Sequence, residues 1–81
     1  MREREIEKKY RKRIEGQGGL CLKFVSPGYS GVPDRVVLMK DGRIWFVEFK
    51  SKGQKPTPRQ QRVHDLIRSF GFNVLVIDEV E

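Results

Sequence analysis

The stretch Gly31-Val-Pro-Asp-Arg-Val-Val-Leu-Met-Lys-Asp-Gly-Arg-Ile-Trp-Phe-Val-Glu-Phe-Lys50 decides the fold. Two runs, Asp34 to Met39 and Arg43 to Lys50, flank an Asp-Gly turn, and Val, Ile, Phe and Trp give both the composition of paired strands. Asp34 opens the first run. Glu48 lies near the end of the second, and Lys50 follows at the spacing that keeps both on one strand face. The length of the turn decides whether the acids meet. A two-residue Asp41-Gly42 loop pairs Lys40 with Arg43, sets Asp34 opposite Phe49 and leaves the acids on opposite faces. A three-residue loop, Lys40-Asp41-Gly42, with Gly42 in the left-handed conformation, moves the register by one and sets Asp34 opposite Glu48. We expect the three-residue loop; the other register leaves the acids no common site.

Gathered on one face, Asp34, Glu48 and Lys50 suit a divalent cation beside a phosphate. Hard oxygen ligands favour Mg²⁺ or Mn²⁺, with carboxylates from Asp34 and Glu48 and a further oxygen from the backbone carbonyl of Phe49. Lys50 would orient or deprotonate the attacking water, or neutralise charge on the phosphate. The same spacing also describes a solvated cross-strand acid pair with Lys50 as its counterion. Glu-x-Lys alone does not separate the two.

The flanking segments supply the walls. Residues 2–15 lack Gly and Pro and are rich in Glu, Lys and Arg, so they read as a helix. Ile6, Tyr10 and Ile14 form its buried stripe, with Glu3 in line with the stripe and Glu7 at its edge. Glu3 either caps the positive helix end in solvent or looks into a site. Gly16, Gly18 and Gly19 stop the helix. Leu20 to Val25 is a first strand, and a loop from Ser26 leads to Pro33, which fixes the approach to Asp34. Thr57-Pro-Arg-Gln60 is a helix start with Thr as N-cap and Gln at the capping-box position. Val63, Leu66, Ile67 and Phe70 make that helix's apolar face. Asn73 to Asp78 is nearly all apolar and is expected in the sheet interior. The order is αβββαβ: an α/β domain spanning residues 1–81, with a central mixed sheet flanked by helices.

Both faces of the central hairpin are apolar: Val36, Leu38, Ile44 and Phe46 on one, Val37, Met39, Trp45, Val47 and Phe49 on the other. Two helices barely cover such a sheet, and homodimerisation would cover the rest. Seventeen Lys and Arg against 11 acids give a net charge of +6, which suits a polyanionic partner. Nothing in the sequence is long and apolar enough for a membrane span, and the N-terminal basic helix lacks the broad apolar face of a membrane-surface helix. Cys21 is the single cysteine; it has no disulfide partner and reads as a strand-core residue in a reducing, cytoplasmic setting.

Gly31-Val-Pro-Asp34-Arg35, then Val47-Glu48-Phe49-Lys50, then Thr57-Pro-x-Gln60, at these separations, resemble the virus-type replication-repair nuclease (VRR-NUC) domain of the PD-(D/E)XK nuclease superfamily, across Glu3 to Ile77. The resemblance implies a restriction-endonuclease-like core and a Mg²⁺- or Mn²⁺-dependent endonuclease. It also implies structure-selective cutting of branched DNA such as Holliday junctions, a homodimer, and a bacterial or phage-infected host. It maps metal binding onto Asp34 and Glu48, the hydrolytic step onto Lys50, a site Gln onto Gln60 and a helix acid onto Glu3, with Glu7 second.

Gln60 also has a structural reading, as the reciprocal half of the capping box. His64, the single histidine, reads as a flank residue of its helix or a DNA contact more readily than as a general base. Tyr29, Ser30, Lys23, Arg35, Lys52 and Lys55 are the candidate DNA contacts. A non-catalytic nucleic-acid-binding module of the same fold is the competing function; two acids and a lysine kept together in a basic chain argue against it.

Overall fold

The elements α1 (Glu3–Gly16), β1 (Leu20–Lys23), β2 (Arg35–Leu38), β3 (Ile44–Phe49), α2 (Pro58–Ser69) and β4 (Asn73–Ile77) follow one another in the computed structural model, which describes residues 1–81. They form the expected αβββαβ order. The sheet runs β1-β2-β3-β4, antiparallel except for the β3–β4 pair, which is parallel and is joined through α2 as a parallel crossover requires.

The central hairpin takes the three-residue loop. Leu38 pairs with Ile44 and Arg35 with Val47, so Asp34 falls opposite Glu48. Gly42 sits at φ +90°, its N–H donating to the Met39 carbonyl at 3.0 Å, while the Met39 N–H donates to the Arg43 carbonyl at 3.0 Å. A left-handed residue here costs a side chain strain that glycine avoids.

The two sheet faces are filled unequally. α1 lays Ile6, Tyr10 and Ile14 over Cys21, Val37, Val47 and Phe49, and the Trp45 indole N–H donates to the Tyr10 hydroxyl at 3.0 Å. Fully burying a Val or Phe side chain stabilises by about 1.5–3 kcal/mol, so this layer contributes most of the cohesion. On the other face α2 buries Val63 and His64, but Leu20, Leu22, Ile44, Phe72 and Phe70 stay substantially exposed. An open apolar groove of about 480 Å³ runs between Phe24, Phe46, Leu66 and Phe72.

One expectation fails here. β4 is an edge strand, not an interior one, and Leu75 and Val76 are exposed. Its inner flank hydrogen-bonds to β3 and Val74 packs inward. The apolar composition therefore reports coverage of part of the strand, not neighbours on both sides.

Candidate active site

The site lies at the end of the sheet where β2 begins and β3 finishes. Antiparallel pairing alternates bonded and non-bonded pairs. Since Met39 bonds to Arg43, steps of two place Phe49 opposite Pro33 in a bonded position. Pro33 has no N–H to offer the Phe49 carbonyl. The Phe49 N–H turns instead to Asp34, donating to Oδ2 at 2.9 Å. Proline thus ends the ladder, holds the acid across it and leaves the Phe49 carbonyl without the partner that a non-proline residue would give it.

Glu48 is 2% exposed, an unusual position for a carboxylate. Its Oε2 accepts from the Gln60 side-chain amide at 3.2 Å and lies 3.6 Å from Lys50 Nζ. Lys50 Nζ donates to Gln60 Oε1 at 2.7 Å. Gln60 Oε1 also accepts from the Thr57 backbone N–H at 3.0 Å, and Thr57 Oγ1 accepts from the Gln60 N–H at 3.2 Å. Both readings of Gln60 therefore hold at once: the capping box locks the side chain that bridges Lys50 and Glu48. Gly31 brings α2 this close to the loop before Asp34. It has φ +89°, and an added Cβ would lie 3.0 Å from Val63 Cγ2 and 3.1 Å from Arg59 Cγ.

His64 is not at the flank of its helix. One turn after Gln60, it is fully buried, with Nε2 3.8 Å from Glu48 Oε1; neither ring nitrogen nor that oxygen has a hydrogen-bond partner. Burial, with the nearby Arg68 and Lys50 charges, pushes the His64 pKa below its usual value, against Asp65, which raises it.

On the α1 side, a polar cleft of about 300 Å³ is lined by Glu3, Glu7, Lys23, Pro33, Asp34 and Phe49 among others. Glu7 is committed: its Oε2 accepts from Arg35 Nε at 2.7 Å, and Arg35 also donates to the Cys21 carbonyl at 2.9 Å. With a side chain only 12% exposed, Arg35 is an internal ion-pair partner and not the open DNA contact expected from its charge. Strand alternation accounts for this, since Arg35 points to the α1 face while Asp34 points away. Glu7 acts on Asp34 more strongly than Glu3 does, but Arg35 balances it. Glu3 has no ion pair and adds negative potential to both Asp34 and Glu48.

Burial raises the Asp34 pKa, as do Glu7 and Glu3, against the Phe49 N–H and Lys50, which lower it. Glu48 is pushed from 4.5 to about 7, first by burial and then by Asp34, with Lys50 opposing. Carboxylates that repel each other in a partly dry cleft favour a proton or a cation there. The donor set, Asp34 and Glu48, is hard oxygen throughout. No three His, Cys, Asp or Glu side chains come together as a metal-ligand group; the side-chain donors here are the two carboxylates of Asp34 and Glu48. Two hard-oxygen donors of this kind could hold Mg²⁺ or Mn²⁺ if water and phosphate oxygens complete the shell.

Around this centre, Tyr29 is exposed and lies under the Arg59 guanidinium, 5.9 Å from the ring centroid. Ser30 Oγ accepts from Arg59 Nε at 3.2 Å. Lys23 and Lys55 are exposed, and Lys52 pairs with Glu79 at 3.2 Å on the open surface. Arg59, not among the contacts expected from the sequence, joins Tyr29 and Ser30 here as an exposed cation directly before Gln60. Cys21 is a free, buried thiol in the core, as expected. No helix is long and apolar enough to cross a membrane.

The chain and its fold have counterparts in known proteins. The VRR-NUC domain model matches residues 27–80, so this chain belongs to the VRR-NUC family. It is 47% identical over 78 residues to "Putative nuclease p44" of Acyrthosiphon pisum secondary endosymbiont phage 1, covering 96% of this chain and 84% of that protein. A solved structure titled as a VRR-NUC domain superposes with a TM-score of 0.91 at 41% identity, covering 95% of this chain and 84% of that one.

Proposed function

We propose that this chain is a Mg²⁺- or Mn²⁺-dependent nuclease that hydrolyses DNA phosphodiesters at the Asp34–Glu48–Lys50 cluster and prefers branched DNA such as Holliday junctions. The observation that carries the reading is the convergence of a buried carboxylate, a second carboxylate and a lysine at one strand end of a chain with net charge +6. Membership of the VRR-NUC family and the name of the phage relative support it.

Asp34, Glu48 and the Phe49 carbonyl would hold the cation. When bound, a divalent ion supplies Lewis-acid charge to the phosphate and makes a water easier to deprotonate. Lys50, aimed by Gln60, places positive charge where the attacking water and the phosphate meet. Glu3 adds a third acid from α1. Lys23, Lys55, Tyr29, Ser30 and Arg59 contact phosphates around the cleft, with Lys52 free to exchange its weak surface pair for a phosphate. Such contacts give salt-dependent affinity with little base readout. A non-catalytic binder would have no use for a carboxylate buried at this cost.

We further propose a homodimer that covers Leu20, Leu22, Ile44 and Phe72 and offers a site to each of two strands of a junction. A mass in solution equal to one chain at all concentrations would overturn the dimer without touching the chemistry. The test of the chemistry is a cleavage assay on a four-way junction and a linear duplex, with Mg²⁺ or Mn²⁺ and with chelator. Metal-dependent cutting, strongest on the junction and lost in Asp34→Ala and Lys50→Ala, is the expected result. Cutting that survives both substitutions refutes the site, and no cutting of any DNA favours the binder.

A further inference from the structure

His64 and Glu48 leave an unexplained gap. The imidazole is wholly enclosed, one of its nitrogens lies 3.8 Å from Glu48 Oε1, and both atoms lack a partner. Buried polar atoms are nearly always satisfied. A separation of 3.8 Å is too short to seat a water between them and too long for a hydrogen bond of 2.7–3.2 Å. The terminal torsion of a glutamate is soft. A small shift of the Glu48 carboxylate that keeps Oε2 within reach of Gln60 would bring Oε1 to the ring and satisfy an imidazole N–H and the carboxylate together. The other oxygen is already tethered by the Gln60 amide at 3.2 Å.

We propose that His64 is a positioning residue: its Nε2–H holds Oε1 of Glu48, so that His64 and Gln60, one helical turn apart on α2, grip the carboxylate that takes the divalent cation. The inference rests on the metal-site reading above. A carboxylate gripped at both oxygens has lost the rotation that a metal would otherwise have to freeze, and outer partners of this kind commonly hold about 10–100-fold in metal affinity. His64 needs no contact with substrate or water for this role. It also explains why a polar ring occupies a core position beside Val63, where an aliphatic side chain would pack without unpaired nitrogens.

The test is a Mn²⁺ titration of the metal-free protein, followed by calorimetry or by the electron-spin signal of free Mn²⁺, with thermal unfolding in chelator measured in parallel. His64→Leu keeps the volume and removes the donor; His64→Gln returns an N–H near the Nε2 position; Asp34→Asn reports on the metal site itself. His64→Leu should bind Mn²⁺ about tenfold or more weakly than the wild type while the chelator melt shows it still folded at the titration temperature, and His64→Gln should recover most of that affinity. Binding by His64→Leu within about twofold of the wild type overturns the proposal, as does a His64→Gln no better than His64→Leu. If His64→Leu does not fold, His64→Asn, whose amide reaches only to the Nδ1 position, takes its place with the same expectation. Wild-type protein that binds no Mn²⁺, or Asp34→Asn that binds as the wild type does, removes the metal-site reading and this proposal with it. Loss in Asp34→Asn without loss in His64→Leu removes only the latter.

Discussion

The two ends of one hairpin carry nearly the same sequence pattern and do opposite things. At the turn, Asp41 and Arg43 stand two residues apart with an ion pair of 2.7 Å, and both side chains are more than half exposed. At the far end, Glu48 and Lys50 have the same spacing, lie 3.6 Å apart and are almost enclosed. The Arg43 N–H and guanidinium hold the Asp41 pKa below its usual value, whereas burial and Asp34 drive Glu48 up to about 7. An acid and a base at i and i+2 therefore define nothing by themselves. Pro33, Asp34 and α2 turn one pair into a candidate centre, and water leaves the other as a surface ion pair of small consequence.

The sharpest way to break the contrast is Lys50→Ala. If Lys50 acts on the reacting phosphate as proposed, removing its charge should slow single-turnover cleavage by about 10²-fold or more, with DNA affinity changed far less. A rate within severalfold of the wild type would demote Lys50 to a counterion. Gly31→Ala attacks the approach of α2 to the Asp34 loop, and a Cβ at positive φ against Val63 and Arg59 should cost about 1–3 kcal/mol. For a domain of this size that lowers the melting temperature by about 4–8 °C per kcal/mol, and an unchanged melt would show that the loop relaxes freely.

Thr57→Ala should cost about 1 kcal/mol through the lost cap. Because the Gln60 side chain that completes this cap also orients Lys50, cleavage should fall with it. A stability loss with wild-type cleavage would separate the two roles of Gln60. Acidity distinguishes the ends as well. The Glu48 pKa is about 7 in the folded chain against 4.5 for a free side chain. Between those values the folded state keeps a proton that the unfolded state has released, so metal-free stability from this group falls as pH rises through that window. Asp41 has the opposite sign: its contribution is present above 3.8 and is lost as pH falls through its lowered value. Melts in chelator between about pH 5 and about pH 8 should slope downward for the wild type and flatten in Glu48→Gln; parallel slopes would contradict the Glu48 assignment.

The hairpin register was legible because Lys40-Asp41-Gly42 admits few turn geometries and only one brings the acids together. The α1 stripe and the Thr57 cap were legible for the same kind of reason, a short-range rule with a fixed spacing. Long-range partners were not. Arg35 resembled a DNA contact until Glu7 was seen across the sheet, although strand alternation had already turned it toward α1. His64 sits four residues after Gln60, so a helical wheel places it on the site face; its burial depends on how closely α2 packs on the sheet, which no local spacing states. β4 resembled an interior strand because apolar composition does not say which neighbour supplies the cover.

If enclosure beside Asp34 is what makes the Glu48–Lys50 end reactive, the Asp41–Arg43 end, with the same spacing, is inert. Single-turnover, metal-dependent cleavage of a four-way junction by Glu48→Gln and Asp41→Asn, side by side, tests it most directly. Glu48→Gln should lose at least about 10²-fold, and Asp41→Asn should cut at the wild-type rate. Wild-type cutting by Glu48→Gln, or an equal loss in both variants, would contradict it.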